Sequence, residues 1–396
     1  MPRTVVVLGA GFAGLPIAHY LLRRTSVQHQ DLRVILVTPH DTFYWKIASV
    51  RFALPDQMAE DKYMFPLAEQ FAGYAAGKFE LVIGAAEALD PARNTVSVRV
   101  GGGGSDGELR SIEYHTLVVA TGSRYRDGMP WKEVGTTAQT RAALAELHAG
   151  IRAARSIVVA GAGVTGVEFA GELGSAYGKA GRKTVTLVGA DALPLEKRMK
   201  DSVRETARRE LEKLGVKYIG GAKITTAAAD GVKDAKTITL TRADGTTETL
   251  AADLVVPTFG VVPNTEFAPE EMRDAASGCL KQGTDLRAPG YKNVFILGDA
   301  GNLQPAQAAN TDTQTRHLMT QLGAYFSGGP IKPYAFDPDQ VQLALTIGRD
   351  RGTGQVGSWK LWSFLVWFLK GRHLGTDGAD AFAKGDAGGM GRAWPK

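Results

Sequence analysis

Cysteine is almost absent from this 396-residue chain, which contains only Cys279. A single cysteine excludes an intramolecular disulfide, a Cys-x-x-Cys redox pair and a cysteine-rich metal centre. Any redox chemistry of this chain must therefore use a group other than a dithiol. Because Cys279 lies in the polar segment SGCLKQG, we expect it to have no catalytic role.

Metal-ligand patterns and strong charge are also missing. The seven histidines are scattered and form no H-x₃-H pair, so we predict no metal site. The net charge is +5 and 22% of the residues are charged, which is too weak and diffuse to predict a nucleic-acid partner. The first apolar run starts at Thr4, so we expect no cleavable presequence and a cytosolic start.

Glycine, in contrast, is abundant at 48 residues, and two glycine clusters repeat one pattern. GAGFAG at residues 9–14 follows the apolar run TVVVL, and GAGVTG at residues 161–166 follows IVVA. Each cluster precedes an apolar helical pattern. In this context the first glycine makes the turn, the second lets the backbone approach a pyrophosphate, and the third lets helix pack on strand. The sequence therefore predicts two dinucleotide-binding units.

The positions that would bind the adenosine ribose depart from the usual pattern in both units. A carboxylate normally follows the second strand, but Thr38 and Gly189 occupy these positions here. Thr38 can still hydrogen-bond a ribose. At Gly189 the missing carboxylate removes repulsion of a 2′-phosphate, which Lys197 or Arg198 could attract unless they only form a solvated helix start. The choice between NADH and NADPH is therefore open.

Three further apolar strands end in short motifs: LVVATG at Thr121-Gly122, LVVPTFG at Gly260, and NVFILGD at Gly298-Asp299. In this order with the two glycine clusters, over residues 4 to 325, they resemble the two-dinucleotide-binding-domain flavoprotein family. The resemblance implies that the first unit binds FAD and the second binds a nicotinamide cofactor, NADH or NADPH. It also implies that the aspartate of the last motif holds the ribityl and pyrophosphate region of FAD.

The family's cofactor-binding positions carry over to Gly9, Ala10, Gly11, Phe12, Ala13, Gly14, Thr38, Arg51, Val82, Thr121, Gly122, Gly161, Gly163, Val164, Thr165, Gly166, Gly260, Gly298, Asp299, Gln307 and Ala308. The cysteines of the glutathione-reductase, thioredoxin-reductase and sulfide:quinone reductase relatives have no counterpart here. The remaining possibility is direct electron transfer from NAD(P)H to the flavin and from the flavin to a quinone, a one-electron protein or oxygen.

A closer resemblance rests on the C-terminal pattern L-x-x-G-R-x-x-G-x-G-Q at residues 345–355, the aromatic segment after it, and DTFYWKIASVR at residues 41–51. These segments resemble the mitochondrion-associated apoptosis-inducing-factor homologues, also called ferroptosis suppressor proteins, which are cousins of the type II NADH dehydrogenases. The group consists of FAD-dependent NAD(P)H:quinone oxidoreductases that do not pump protons. The resemblance implies reduction of a ubiquinone-type membrane quinone. Pro2 stands where N-terminal lipidation requires glycine, so we expect the group's lipidation signal to be missing here.

The same resemblance implies catalytic roles for Glu168, Lys46 and Lys370. Glu168 matches a glutamate that hydrogen-bonds the nicotinamide while hydride passes to flavin N5, unless it only compensates the helix dipole. Lys46 could pair with Glu168, and Lys370 is either at the flavin or quinone end or a membrane-surface anchor. We expect segment 304–310 to open a helix whose positive end faces the flavin. The quinone would enter between this helix start and the C-terminal segment.

The segment Ser358–Lys370 concentrates aromatic residues: Trp359, Trp362, Phe364, Trp367 and Phe368. It is shorter than the roughly 20 apolar residues that span a bilayer. Helical spacing would place Lys360, Ser363 and Lys370 on one stripe opposite a wide apolar face, which is typical of an in-plane membrane anchor. The alternative is a helix buried against the flavin domain or in a homodimer interface.

The sequence thus predicts an α/β fold with two Rossmann-like dinucleotide-binding domains of the glutathione-reductase type and a small C-terminal α+β region. Residues 1–128 and 254–330 would form the FAD-binding domain, 129–253 the NAD(P)H-binding domain, 331–375 a quinone- and membrane-facing region, and 376–396 a flexible tail. We expect a cytoplasmic, peripheral membrane protein on the cytosolic face of lipid droplets, mitochondria or other membranes. The alternatives are a soluble NADH-dependent reductase of a ferredoxin-like protein and an apoptosis-inducing-factor-like cell-death protein.

Overall fold

The computed structural model describes residues 3–101, 107–226, 237–387 and 393–395. Within these ranges the strands are β1 (Arg3–Leu8), β2 (Leu32–Thr38), β3 (Thr42–Tyr44), β4 (Met64–Pro66), β5 (Phe79–Asp90), β6 (Thr95–Val100), β7 (Glu108–Glu113), β8 (Thr116–Val119), β9 (Ser123–Tyr125), β10 (Ser156–Ala160), β11 (Thr184–Val188), β12 (Val216–Ile219), β13 (Ala222–Thr226), β14 (Thr237–Arg242), β15 (Thr247–Ala251), β16 (Leu254–Pro257), β17 (Val261–Pro263), β18 (Val294–Ile296), β19 (Gln342–Ile347), β20 (Arg351–Val356) and β21 (Trp359–Leu361). The α-helices there are α1 (Gly14–Tyr20), α2 (Ser26–Gln28), α3 (Ser49–Phe52), α4 (Leu67–Gln70), α5 (Thr137–Ala153), α6 (Val164–Leu173), α7 (Asp201–Lys213), α8 (Ala308–Phe326), α9 (Ser363–Val366) and α10 (Ala379–Ala383).

The first sheet has the strand order β18-β8-β1-β2-β5-β6-β7. Its strands β18, β8, β1, β2 and the start of β5 are parallel, whereas β5, β6 and β7 form an antiparallel meander. The apolar runs of β1 and β8 are buried on both faces, which is the pattern of a parallel sheet covered on both sides. Because β18 lies beside β8, the first unit is built from chain segments that precede and follow the second unit in the sequence.

The second sheet is parallel throughout, with the order β12-β11-β10-β16. Its outermost strand β16 pairs with β10 from Leu254 to Pro257. The boundary expected at residue 254 is therefore wrong, because this strand completes the second sheet before the chain returns to the first unit. The return is made by β17, which pairs antiparallel with β9.

The predicted fold is confirmed: two Rossmann-like α/β units are followed by a small C-terminal region. That region is built on the antiparallel sheet β19-β20-β21. Helix α5, between the two units, begins with a capping box in which Thr136 accepts from the backbone N–H of Gln139 and the Gln139 side chain accepts from that of Thr136. The local signal that starts this helix is thus present in the sequence itself.

The aromatic segment is not one helix from Ser358 to Lys370. Its first part forms strand β21, α9 begins only at Ser363, and a π-helical turn covers Trp367–Gly371. The expected stripe of Lys360, Ser363 and Lys370 is therefore wrong, because Lys360 lies on a strand. A short aromatic and apolar run is compatible with either period, and pairing of β21 with β20 decides it here.

The C-terminal residues are docked on the first unit, and the expectation of a flexible tail is wrong for residues 376–387. Phe382 is 1% exposed, with its ring centroid 5.4 Å from those of Phe12 and Phe43 and 5.6 Å from that of Trp45. This aromatic cluster holds the tail against the turn of the first glycine motif. Residues 388–392 and 396 of the expected tail lie outside the described part of the chain.

A buried histidine fastens the same tail by hydrogen bonds. The Nε2–H of His19 donates to the carbonyl of Ala383 at 3.0 Å. The other nitrogen of the neutral ring, Nδ1, therefore accepts from the Tyr74 hydroxyl at 2.8 Å. Arg23 in turn donates to Tyr74 and pairs with Asp386 at 2.8 Å. Burial, which disfavours the imidazolium, lowers the pKa of His19 from 6.5 to about 4.

Acidification should therefore weaken the fold. Between about pH 6.5 and about pH 4 the unfolded chain binds a proton that folded His19 does not, so stability falls as the pH falls, by about 1.4 kcal/mol per unit. We expect the unfolding free energy to drop between pH 7 and pH 5 by about 2 kcal/mol more in the wild type than in His19→Gln. Equal drops in both proteins, measured by urea titration, would remove His19 as the source.

Candidate active site

One large cavity of about 1210 Å³ lies at the carboxyl ends of the parallel strands β1, β8 and β18, the edge where α/β sheets bind their ligands. Its wall also includes the start of α6, the start of α8 and the C-terminal region. Its volume exceeds the range of about 300–1,000 Å³ usual for small-molecule sites. A dinucleotide with room for a second reactant matches this size.

The first glycine turn is shaped for a ligand rather than for a side chain. Gly9 has φ +98°, and a Cβ there would lie 2.4 Å from the carbonyl oxygen of Ala120. A Cβ on Gly14 would lie 1.8 Å from the carbonyl oxygen of Gly9, so helix and strand pack with no space between them. A Cβ on Gly11 would lie 3.4 Å from the ammonium of Lys46 and within 4 Å of no other heavy atom of the described residues. An open backbone turn beside an ammonium fits a pyrophosphate.

The second glycine turn repeats this geometry. Gly161 has φ +105°, and a Cβ on Gly166 would lie 1.8 Å from the carbonyl oxygen of Gly161. A Cβ on Gly163 would meet no heavy atom of the described residues within 4 Å. The following residues Val164 and Thr165 line the cavity, and α6 begins there with its N–H groups unpaired by a side-chain cap. The residues present thus fit a second nucleotide.

The second unit has no room for a carboxylate after β11. A Cβ on Gly189 would lie 2.5 Å from the Tyr218 hydroxyl oxygen and 2.7 Å from the Cβ of Ala162. Lys197, one of the two nearby cations, pairs with Asp191 at 3.0 Å. The other, Arg198, pairs with Glu196 at 2.6 Å, and Glu196 itself lines the cavity. Both cations that could attract a 2′-phosphate therefore already have carboxylate partners.

Asp299 carries a cation partner that sequence reasoning missed. Its Oδ2 lies 2.5 Å from the Lys132 ammonium and accepts from the Ser123 hydroxyl at 2.8 Å. Burial by itself raises the pKa of a carboxyl, but the charge and hydrogen bond of Lys132 outweigh it and lower the pKa of Asp299. Lys132 stands in a connection with no motif of its own, so no sequence signal could have identified it.

Glu168 and Lys370 meet in the wall of the cavity. The Lys370 ammonium donates to Glu168 Oε1 at 2.8 Å and to the carbonyl of Ala344 at 3.1 Å. The same carboxylate oxygen accepts from the backbone N–H of Thr346 at 2.8 Å. Within the described residues none of these bonds uses Oε2 of Glu168, although the residue lines the cavity. A carboxylate fixed through one oxygen can accept a ligand donor with the other.

The expected pairing of Lys46 with Glu168 is wrong. Lys46 instead lies 3.4 Å from a carboxylate oxygen of Glu133 and 5.7 Å from the centroid of the Phe12 ring. Burial by itself would raise the pKa of Glu133, but the charge of Lys46 lowers it below the ordinary value. The two lysines therefore stand in separate ion pairs of the same cavity.

Most predicted site residues line this cavity: Gly9, Ala10, Gly11, Phe12, Ala13, Thr38, Lys46, Thr121, Gly122, Val164, Thr165, Glu168, Gly298, Asp299, Gln307, Ala308 and Lys370. Four predicted glycines shape turns or helix packing behind the wall: Gly14, Gly161, Gly166 and Gly260. Gly163 lies at the open second turn.

Two predicted cofactor-binding residues are elsewhere. Val82 is inside β5, paired with Val37, and the same strand reaches the cavity only at residues 84–86. Arg51 is 2% exposed and its guanidinium pairs with Glu172 at 2.7 Å. Both assignments are corrected. The register of β5 places residues 84–86, rather than Val82, at the cavity, and the Arg51 side chain is paired with a buried carboxylate behind the wall.

Exposed aromatic and aliphatic side chains adjoin the cavity. We define the aromatic surface as Trp359, Trp362, Phe364, Phe368 and Leu369, which are 49–81% exposed. Leu369 also lines the cavity, so the surface reaches the mouth of the site. The predicted surface residue Trp367 is half-buried instead. No helix within the described ranges is long and apolar enough to cross a membrane.

Comparisons with known proteins agree with this architecture. The sequence profile of the family described as "Pyridine nucleotide-disulphide oxidoreductase" matches residues 3–313. The chain is 35% identical to oxidoreductase ptaL of Pestalotiopsis fici over 92% of this chain and 94% of that protein. It is 26% identical to ferroptosis suppressor protein 1 of Taeniopygia guttata over 93% of each. The fold matches the sulfide:quinone oxidoreductase of Aquifex aeolicus with a TM-score of 0.74 and 15% identity, over 97% of this chain and 92% of the other.

Proposed function

The chain belongs to the pyridine nucleotide-disulphide oxidoreductase family, a family of flavoproteins that use FAD and NAD(P)H, and from this premise we propose that it is an NAD(P)H:quinone oxidoreductase. The observation that carries the proposal is the large cavity that runs from the two glycine turns to the aromatic surface, with Glu168 and Lys370 in its wall. The resemblance to quinone reductases noted in the sequence supports it.

The acceptor must come from outside the chain. One cysteine cannot form the internal disulfide for which the family is named, and burial raises the pKa of the Cys279 thiol, which makes it a weaker nucleophile. The C-terminal region contributes the apolar side chains of Leu343, Leu369 and Leu374 to the cavity wall, and Leu369 also belongs to the aromatic surface. An apolar wall at a surface rich in exposed tryptophan suits a quinone held in a membrane.

The proposed reaction converts NAD(P)H, a proton and a quinone into NAD(P)⁺ and a quinol. When bound, FAD supplies the redox chemistry that accepts a hydride and passes two electrons on. The first glycine turn and Lys46 would hold its pyrophosphate. Glu168 would accept a hydrogen bond from the nicotinamide amide at Oε2. Lys370 would supply a proton and positive charge where the quinone oxygen gains electrons.

The first test is NADH and NADPH oxidation by the purified, flavin-loaded protein with and without a short-chain ubiquinone analogue. We expect the quinone to stimulate oxidation at least about tenfold, because no internal dithiol competes for the electrons. If NAD(P)H bleaches the flavin absorbance but the quinone adds nothing, the acceptor is a ferredoxin-like protein or oxygen, and the proposal fails.

We further propose that the aromatic surface docks on a membrane, on the cytosolic side, without spanning it. Trp362 is 81% exposed and Trp359 79% exposed, and indole rings favour the headgroup level of a bilayer. Arg372 lies 4.7 Å from the centroid of the Phe368 ring, which places a cation at the edge of the surface. A cation beside exposed aromatic rings suits an anionic lipid surface.

Trp362→Glu should lower cosedimentation with anionic phospholipid vesicles about tenfold, since burying a large apolar side chain contributes about 1.5–3 kcal/mol. The matched control is Leu109→Glu, at a 55% exposed position on β7, which should bind as the wild type does. If the wild type stays in the supernatant and sediments as a dimer that Trp362→Glu dissociates, the surface is a homodimer interface instead.

A further inference from the structure

A buried ion cluster lies behind the cavity wall at the junction of three parts of the chain. Arg51 of α3 donates to Glu172 Oε1 of α6 through Nε at 3.0 Å and Nη2 at 2.7 Å. Glu172 is completely buried, and its Oε2 forms an ion pair at 3.2 Å with Arg349 Nε in the turn between β19 and β20. Within the described residues this oxygen accepts no hydrogen bond. The two hydrogen bonds from Arg51 therefore supply the close pairing that a buried carboxylate requires, and Arg349 adds positive charge.

The remaining donors of Arg51 go to the C-terminal region. Nη2 donates to the carbonyl of Gly371 at 3.0 Å, and Nη1 donates to that of Arg372 at 3.2 Å. These are the two residues directly after Lys370. A planar guanidinium can serve a carboxylate and two carbonyls at once, whereas a lysine ammonium offers no such fork.

Helix α6 holds the C-terminal region at two points one turn apart. Glu168 binds Lys370 directly, and Glu172 holds the next two carbonyls through Arg51. Between them, a Cβ on Gly171 would lie 2.7 Å from the backbone nitrogen of Gly348, so the helix and the β19–β20 turn are in close contact. Nothing larger than glycine fits in that gap.

From this arrangement we propose that Arg51 is a positioning residue, which with Glu172 fixes the backbone after Lys370 and so holds the Lys370 ammonium on Glu168. Arg51 does not line the cavity and acts through the lysine. The consequence for turnover rests on the proposed function, but the position of the lysine does not.

The test uses the flavin-loaded full chain and site-specific acetylation with N-hydroxysuccinimide acetate, read by mass spectrometry. Lys370 is 24% exposed and paired, so its ammonium should react slowly in the wild type. In Arg51→Lys we expect Lys370 to react about fivefold faster, the change that follows from losing roughly 1 kcal/mol of its pairing. Lys197, 77% exposed, and Lys360 on β21 are internal controls that should not change.

A second variant keeps the test decisive if Arg51→Lys fails to retain flavin. Arg349→Gln removes only the outer cation of the cluster, a side chain that is 37% exposed. The acetylation of Lys370 should become about twofold faster. Unchanged Lys370 reactivity in the variants that fold overturns the proposal, as does equal acceleration of Lys360. If Lys370 alone accelerates while the wild type shows no quinone reduction, the positioning role stands and the proposed function fails.

Discussion

Replacing Lys370 with methionine is expected to lower quinone-dependent turnover about 100-fold, the effect typical of losing a general acid. The ammonium lies in the cavity wall 2.8 Å from Glu168, next to Leu369 at the cavity mouth. Methionine keeps the unbranched shape and most of the length of the side chain and removes both the proton and the charge. Flavin content should stay at the wild-type level, because the lysine is remote in sequence from both glycine turns and pairs with a carboxylate rather than with their backbone.

The control for this prediction is Lys360→Met in the same segment. Lys360 donates to the carbonyl of Ser202 and to the Thr206 hydroxyl on α7 and does not line the cavity. Its loss should change turnover by less than about twofold, as for other surface substitutions. Stopped-flow absorbance separates flavin reduction by NADH from reoxidation by quinone. Reoxidation at the wild-type rate in Lys370→Met would show that the lysine has no part in quinone reduction.

Phe382→Ala should lower the free energy of unfolding by about 3–5 kcal/mol, the cost of emptying a large buried aromatic site. The ring is 1% exposed and contacts Phe12, which belongs to the first glycine turn. Loss of this contact should therefore also weaken flavin retention. Urea unfolding measures the first effect, and the release of flavin on dilution measures the second.

Lys384→Ala is the matched control in the docked tail. Its salt bridge with Asp380 is more than half exposed on both sides, and such pairs contribute about 0–1 kcal/mol. A Phe382→Ala protein that unfolds within about 1 kcal/mol of this control would mean that the tail does not support the fold. Normal flavin retention in an otherwise destabilised Phe382→Ala protein would separate stability from cofactor binding.

Much of the site was predictable because it depends on local chain geometry. A buried strand, a glycine turn and a helix follow one another within a few residues at Gly9–Gly14 and again at Gly161–Gly166. Such turns have one steric solution, in which only glycine fits at Gly9 and Gly14. The start of α8 after Gln307 is local in the same sense.

The wrong predictions concern segments whose sequence is compatible with two structures. The segment from Ser358 to Lys370 is compatible with a helix or a strand, and pairing with β20 turned its first half into β21. The tail after residue 375 is rich in glycine and alanine, a composition that suggests disorder. Phe382 in its aromatic pocket and the hydrogen bonds of His19 and Arg23 order it, and these partners lie more than 300 positions earlier in the chain.

The two dinucleotide units and their glycine turns can thus be predicted from the sequence, because short-range sterics and the apolar period of strands and helices specify them. The charge partners are decided only by the tertiary structure. Lys370 meets Glu168, Lys132 meets Asp299, and Arg51 meets Glu172 across 121 to 202 residues of chain. An ion pair depends on distance in space and on burial, and neither is recorded in the spacing of residues along the sequence.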